Sequence, residues 1–361
     1  MHKRYYLWGL GGVGKRAVGY LAPLGILDGI IDSDITKAGQ TINGLTIYDY
    51  DTAKPFLKDA GVIIAHFRFE ETEAVLERDG IEFYRLGDFI TAWYWNSRRE
   101  NAIGFLDFII TTRCTLNCKD CMQYIPYRPH EDIPLTRLKN DLQKLFSRVS
   151  FVGEISIIGG EPFMYENFTE LLDYIVQNFS KRVGSVVITT NGTITPDAKL
   201  LELCKQTGIR ISISDYTNVI PQLEGQISQL ESAAALANVK TERKRWSWSK
   251  PGRFDAEDYV KSNEKDNTSA TCGQTHMQLH NGRLWRCTLM AAGNAAGFCD
   301  VHSLHDYYDL SHECNETMHR FTSEHSPRTS QCKRCWFPHK IAVPVAIQET
   351  AQNHKTASKT Q

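Results

Sequence analysis

A mainly parallel α/β chain that ends in a small cysteine-rich segment and a polar tail is what this 361-residue sequence predicts. Three observations predict it. A strand-like run, Tyr5-Tyr6-Leu7-Trp8, enters a glycine turn and then a helical pattern. From Ile103 to about Trp248, apolar runs of strand length alternate with amphipathic helical spacing. From about Ser269 to His339 that alternation weakens while cysteines concentrate. The expected segments are 1–90, 103–250, 269–340 and a flexible tail at 341–361, with 88–102 as a connector. The length suffices for two or three hydrophobic cores.

In the first segment the turn reads Gly9-Leu10-Gly11-Gly12-Val13-Gly14, and Ala17, Val18 and Leu21 carry the helical spacing after it. Such a turn lets backbone amides approach a pyrophosphate at a helix N-terminus, and Gly14 permits close packing of helix on strand. A second strand-like run, Ile26 to Ile31, ends at Asp32, about 20 residues on, where a ribose-binding carboxylate is expected. Strand, turn, helix, strand and terminal acid in that order read as a Rossmann-like unit with Gly9, Gly11, Gly14 and Asp32 as its ligand residues. Thr41 to Ile47, Gly61 to Ala65 and Ile81 to Tyr84 continue the alternation. The unit looks like small modules of bacterial sugar-modifying proteins, some of which bind nucleotide sugars. A vestigial unit that only docks on its neighbour and a redox NAD site are the competing readings.

In the second segment the strand Phe105 to Ile110 feeds Cys114-Thr115-Leu116-Asn117-Cys118-Lys119-Asp120-Cys121. The C-x3-C-x2-C spacing suits three thiolates on three irons of a cubane, which leaves the fourth iron open to a small molecule. Zinc and three thiols packed in a core are the rivals. Zinc wants four ligands, and nearby His130 has no matching partner. Here the chain resembles the radical S-adenosylmethionine (radical SAM) superfamily. The resemblance implies a partial (β/α)6 barrel and a [4Fe-4S] cluster on Cys114, Cys118 and Cys121. It also implies S-adenosyl-L-methionine at the open iron, cleaved reductively so that a 5′-deoxyadenosyl radical takes a substrate hydrogen. Where the family's loop has an aromatic residue before the third cysteine, this chain has Asp120, and Met122 or Tyr124 is the expected substitute beside the adenine.

Helical spacing follows at Leu135, Leu138, Leu142 and Leu145, and again at Phe168, Leu171, Leu172, Ile175 and Phe179, between the strands Ile155 to Ile158 and Val186 to Ile188. Gly159-Gly160-Glu161-Pro162 ends the first of these strands, where parallel folds place ligand loops. It matches the family's glycine-rich motif, which implies backbone contact with the ammonium of the cofactor. An ordinary glycine turn is the bland reading. Asn191, in Thr189-Thr190-Asn191-Gly192, and Ser212 and Ser214, on one face of Ile211 to Asp215, occupy strand ends that in the family meet the ribose and carboxylate. Turn chemistry and polar filling of a barrel are their alternatives.

The second cysteine set is Cys272, Cys287, Cys332 and Cys335, with His280 to Arg286 between the first two reading as a hairpin on a tight Asn281-Gly282 turn. This resembles the twitch domain, the shorter relative of SPASM, and implies a second, fully ligated [4Fe-4S] cluster in a small auxiliary-cluster domain. A tetrathiolate zinc site has the same ligand count. Cys299, Cys314 and Cys204 are left as packing or incidental thiols.

Composition bounds the rest. A net charge of −1 gives no electrostatic reason to expect nucleic acid, and the basic run Lys240 to Arg245 is short and interrupted by Glu242. No stretch has the apolar length of a spanning helix and no signal peptide is recognisable, so a cytoplasmic protein with no membrane partner is expected. The expected function is oxidation or epimerisation of a sugar or nucleotide-linked sugar, with an external donor such as flavodoxin or ferredoxin supplying the electron. Radical modification of a ribosomally made peptide and a non-catalytic iron-sulfur sensor or scaffold are the alternatives.

Overall fold

The computed structural model describes residues 3–66, 69–249, 276–311, 315–323, 329–330, 332, 335 and 342–349. The chain divides into two compact units. The first holds 1–104 with 151–153 and 181–185, and the second holds the remainder. Cys272 and Cys314 lie outside the described residues. Among the described residues, no helix is long and apolar enough to cross a membrane.

The first unit is built on strands β1 (Tyr5–Trp8), β2 (Leu27–Ile31), β3 (Thr41–Ile42), β4 (Leu45–Tyr48), β5 (Gly61–Ile64) and β6 (Phe83–Arg85), ordered β3-β4-β2-β1-β5-β6. Apart from β3 the pairs are parallel. Without β3, the strands stand third, second, first, fourth and fifth in chain order, the doubly wound arrangement, with its crevice between β1 and β5. β3 and β4 form a hairpin because Asn43 (φ 50°) and Gly44 (φ 77°) both accept the left-handed conformation that a type I′ turn demands.

Helix α1 (Gly12–Leu21) buries Val13, Ala17, Val18 and Leu21, a stripe at helical spacing. Helices α2 (Tyr50–Ala53) and α3 (Phe69–Arg78) follow. Trp8, Ile31, Leu57, Val62, Ile64, Phe69 and Leu76 share one core, with Trp8 stacked on Tyr50 at 4.8 Å. The expected connector at 88–102 is instead largely helix α4 (Leu86–Arg98), whose Phe89, Ile90 and Tyr94 are buried. Phe89 meets Tyr5 edge to face at 4.7 Å, so the helix belongs to the first unit.

The second unit carries most of β7 (Ala102–Thr111), β8 (Phe151–Gly159) and β9 (Val183–Thr190), and all of β10 (Arg210–Ser214) and β11 (Thr241–Lys244), side by side in chain order. Helices α5 (Leu135–Phe146), α6 (Phe168–Phe179), α7 (Ala198–Thr207) and α8 (Leu223–Leu236) make the crossovers. β9, β10 and β11 pair in parallel, as strand-helix repeats require. Asp197 caps α7 by accepting from the Leu200 amide at 2.8 Å, and Gly208 (φ 71°) ends it. This is the expected partial barrel.

Its other edge differs from a simple repeat. β13 (His276–His280), which comes from the cysteine-rich segment, pairs in parallel with β7, and β14 (Arg283–Trp285) and β15 (Tyr307–Asp309) extend the sheet in antiparallel fashion. The β13-β14 turn is the expected one, with Asn281 (φ 52°) and Gly282 (φ 68°) both left-handed. Helices α9 (Thr288–Ala295) and α10 (Asn315–Ser323) complete the segment. The tail expected from 341 begins otherwise: β16 (Ala342–Val343) pairs antiparallel with β12 (Trp248–Ser249), and the chain stays bonded through Glu349.

Candidate active site

The cysteine loop leaves the C-terminal end of β7 and is tied at its base. The Thr112 amide donates to the Glu131 carbonyl at 2.9 Å and the Thr112 hydroxyl to the Pro129 carbonyl at 2.6 Å. The Arg113 guanidinium pairs with Asp132 at 2.9 Å. Within the loop, amides of Cys121, Tyr124 and Tyr127 donate to carbonyls three residues back, so Cys118 and Cys121 share one tight turn.

Cys118 is buried, and Cys114 and Cys121 are partly so. Burial pushes the Cys114 and Cys118 thiols up to about 12 and that of Cys121 upward as well. Yet nitrogen donors point at two of these sulfurs. The Leu116 amide (3.4 Å) and Asn191 Nδ2 (3.6 Å) face Cys114 Sγ, and Gln348 Nε2 (3.5 Å) faces Cys118 Sγ. Partly or fully buried thiols met by N–H donors fit ligation, because a coordinated sulfur is deprotonated and accepts such bonds well. Among the described residues, no three Cys, His, Asp or Glu side chains converge on one ion, as a compact zinc site requires. A cubane puts each thiolate on a different iron, so its ligands stand further apart.

Gly159 and Gly160 close β8 onto this loop. The Gly160 amide donates to the Thr111 carbonyl at 2.9 Å and the Glu161 amide to the Arg113 carbonyl at 2.8 Å. A Cβ on Gly159 would lie 2.4 Å from the Thr111 carbonyl oxygen, and one on Gly160 2.1 Å from that of Arg113 and 2.8 Å from Cys114 Cβ. Glycine is required here by the chain's own cysteine loop, a reason the sequence did not disclose.

Glu161, expected among the cofactor contacts, is fully buried and turned into the protein. Its Oε1 accepts from the Thr190 hydroxyl (2.8 Å) and the Phe163 amide (3.1 Å), and its Oε2 from the Asn191 amide (2.8 Å). Burial lifts its carboxyl to about 7 against these donors. It ties the end of β8 to the end of β9.

Asn191 Nδ2 also donates to Thr115 Oγ1 at 3.0 Å, while its Oδ1 accepts from the Thr193 amide at 3.0 Å. It therefore serves both as turn residue and as a brace on the cysteine loop. Ser212 and Ser214 share a face of β10 and are buried. Ser212 lies in register with Thr189, whose hydroxyl is 3.4 Å from that of Ser156, so hydroxyls line up across β8, β9 and β10. Ser214 bonds Tyr216, a residue sequence reasoning missed. Burial raises the Tyr216 phenol, and all three cysteines add to that. Its only signal was its place just past a strand end.

Tyr124 (φ 50°) is buried against Leu289 and Ala292 with Met122 beside it, and meets Phe298 edge to face at 5.3 Å. Cys287 and Cys335 pack against that same cluster. The Thr329 amide donates to Cys332 Sγ at 3.3 Å, and the Cys335 amide to the Cys332 carbonyl at 3.2 Å. With Cys272 outside the described residues, three of the four expected auxiliary thiols are placed. Cys299 contacts Met290 Sδ at 3.6 Å, and Cys204 is buried on α7, both as packing thiols.

In the first unit, Gly9 (φ 104°) turns the chain out of β1, and a Cβ on Gly14 would lie 1.7 Å from the Gly9 carbonyl oxygen. The side-chain direction of Gly11 is open. Asp32 ends β2 as expected, but both its oxygens have partners. The Leu10 amide (2.6 Å) bonds Oδ2, and the Asp34 amide (3.0 Å) and Lys37 Nζ (2.8 Å) bond Oδ1. Burial alone would raise this carboxyl, but Lys37 and the two amides hold it below the ordinary range.

The profile of the Radical SAM superfamily matches residues 108–221. Two curated proteins are similar over part of the chain. The GTP 3′,8-cyclase of Syntrophomonas wolfei subsp. wolfei is 31% identical over 128 residues, 35% of this chain and 37% of that protein. The antilisterial bacteriocin subtilosin biosynthesis protein AlbA of Bacillus subtilis is 33% identical over 103 residues, 27% of this chain and 21% of that protein. The chain thus matches well under half the length of either. A crystal structure of BtrN in complex with AdoMet and 2-DOIA covers 64% of this chain and 92% of its own at 16% identity, with a TM-score of 0.39. The matched residues run from inside β7 to Pro221 beyond β10 and take in Cys114, Cys118, Cys121 and the loops braced on them, so this stretch of the chain carries a domain of the radical SAM superfamily.

Proposed function

We propose that Cys114, Cys118 and Cys121 hold an open-iron [4Fe-4S] cluster, with S-adenosylmethionine against Gly159, Gly160, Asn191, Ser212 and Ser214. The observation that carries this is the convergence on Cys114 of the ends of β8 and β9, through Gly160 and Asn191. When bound, cluster and cofactor supply reductive cleavage of the sulfonium and removal of a substrate hydrogen. The chain's own residues supply position. Glu161 fixes the β8 and β9 ends, Asn191 braces Cys114 and Thr115, and burial shields the Cys118 thiol from water.

We further infer that the substrate is a sugar or nucleotide-linked sugar, oxidised rather than epimerised, with Cys272, Cys287, Cys332 and Cys335 holding a second cluster that passes electrons outward. The row of hydroxyls on Ser156, Thr189 and Ser212 and the doubly wound first unit with its open Gly11 support this. Peptide modification is the second reading, favoured by the likeness to the subtilosin biosynthesis protein.

Calorimetry on the full chain against nucleotide sugars, NAD and peptides separates them. Gly11→Val is the informative variant, since no described protein atom lies within 4 Å of a Cβ there, whereas a ligand's diphosphate would meet the added side chain. Binding of a nucleotide sugar that Gly11→Val abolishes is the expected result. Peptide binding alone would replace the sugar reading.

A further inference from the structure

The stretch 342–349 is pinned at two points. β16 pairs with β12, Val343 opposite Trp248, and further on Gln348 forms an antiparallel bridge with Cys118 itself. The Lys119 amide donates to the Ile347 carbonyl (2.8 Å), the Glu349 amide to the Asn117 carbonyl (2.6 Å), and Asn117 Nδ2 to the Glu349 carbonyl (3.0 Å). Tyr127 donates its hydroxyl to Glu349 Oε2 at 3.2 Å. Ala346 takes a left-handed conformation (φ 52°), which is unfavourable for an L-residue, so the surrounding bonds must hold it there.

The orientation of the Gln348 carboxamide follows from its partners. The Asn117 amide can only donate, so Oε1 must turn to it, and it does so at 2.6 Å. Nε2 is left with two hydrogens, one for the Ala346 carbonyl at 2.7 Å and one for Cys118 Sγ at 3.5 Å. The donor at the sulfur is thus set by a bond made on the other side of the same group.

We propose that residues 345–349 form a strap over the cysteine loop, and that Gln348 is a positioning residue whose amide donates to the Cys118 sulfur and raises the reduction potential of the cluster held there. The tuning rests on Cys118 being a cluster ligand, as proposed above; the strap as a cover does not. Hydrogen bonds to ligand sulfurs draw charge from the cluster and favour its reduced state, and the potential of such clusters depends on them.

The test uses the full chain carrying Gln348→Glu or Gln348→Met. Glutamate keeps an oxygen for the Asn117 amide but sets an acceptor against Cys118, while methionine removes the donor without adding charge. Redox titration followed by electron paramagnetic resonance, read on the signal that S-adenosylmethionine perturbs, should give a more negative potential for both, the glutamate variant furthest. Methionine decides the matter where glutamate impairs loading, and an unchanged potential at normal iron content overturns the tuning. In iron-free protein, a chain ending at Pro344 should label Cys118 with iodoacetamide several-fold faster than the full chain, with Cys204 as internal control. Equal labelling overturns the strap. Absence of any iron-binding by the full chain would instead count against the cluster reading, with the labelling still deciding the strap.

Discussion

Gly160 and Gly11 are both glycines of ligand-type motifs, yet the protein constrains them in opposite ways. A methyl on Gly160 meets the Arg113 carbonyl and Cys114, neither of which can move without shifting the cysteine loop, whereas one on Gly11 meets nothing. Gly160→Ala should therefore lower the stability of the iron-free chain by about 2–3 kcal/mol, the usual cost of overpacking, and reduce iron uptake. Gly11→Ala should stay within about 0.5 kcal/mol. Denaturant unfolding of both variants checks the contrast.

Glu161 gives a pH signature. Its carboxyl is lifted to about 7 by burial, above the ordinary glutamate value, so the folded chain binds this proton more tightly than the unfolded chain does. Its contribution is full below the unfolded value and is lost as pH rises toward 7. Denaturation midpoints should fall over that window, and Glu161→Gln, although less stable throughout, should show a flatter profile. The cysteine triad and the glycine pair were legible at this scale because spacing alone reports them. Tyr216 and Gln348 were not, since a lone tyrosine or glutamine carries no pattern and its meaning comes from its surroundings after folding, Ser214 for the one and the Cys118 sulfur for the other.

At the scale of elements, the basic run at β11, read from the sequence as too short and interrupted for a polyanion groove, has its Arg243, Lys244 and Arg245 paired with carboxylates of the protein itself. Asp215, buried at the end of β10, accepts from Arg243 Nε at 3.0 Å and Arg245 Nε at 2.9 Å, and Arg243 also pairs with Glu224 and Glu231. Burial alone would raise the Asp215 carboxyl, but Thr217 and the two arginines hold it well below the usual range. Its stabilising contribution is therefore present at neutral pH and lost as pH falls below the ordinary aspartate value. Asp215→Ala should cost about 3 kcal/mol, the low end for a broken buried pair because Arg243 keeps its glutamates, and should leave the acid limb of the stability profile shallower.

Periodicity found α1, α5 and α6 and the Asn281-Gly282 hairpin turn was readable, whereas the Asn43-Gly44 turn lies inside a stretch, Thr41 to Ile47, that reads as one run. It missed α4, where Trp93, Trp95 and the Arg98-Arg99-Glu100 run disguised the stripe of Leu86, Phe89, Ile90 and Tyr94 that packs it into the first unit. It also missed β16, because a two-residue strand has no period and is defined by its partner, Trp248–Ser249.

For the whole molecule, the cysteines divide into sets with different fates. Cys114, Cys118 and Cys121 sit on one loop with donors already directed at two of the sulfurs, while Cys287 and Cys335 pack against the Tyr124 cluster that this loop also joins. Cys204 and Cys299 occupy packing positions, and the latter's sulfur contacts Met290. With Cys314 also read from the sequence as an incidental thiol, seven of the ten cysteines remain for metal on the proposed assignment, three for a cubane with an open iron and four for a closed one, which predicts about eight irons per chain on anaerobic reconstitution. Replacing Cys114, Cys118 and Cys121 by alanine should halve that count and abolish formation of 5′-deoxyadenosine. Replacing Cys332 and Cys335 should also halve it, but leave slow cofactor cleavage under dithionite, since that needs only the open-iron site. Zinc in equal amount to the chain, with iron near one cubane in the unaltered protein, would assign the auxiliary thiols to a structural metal and remove the outward electron path on which the oxidation reading depends.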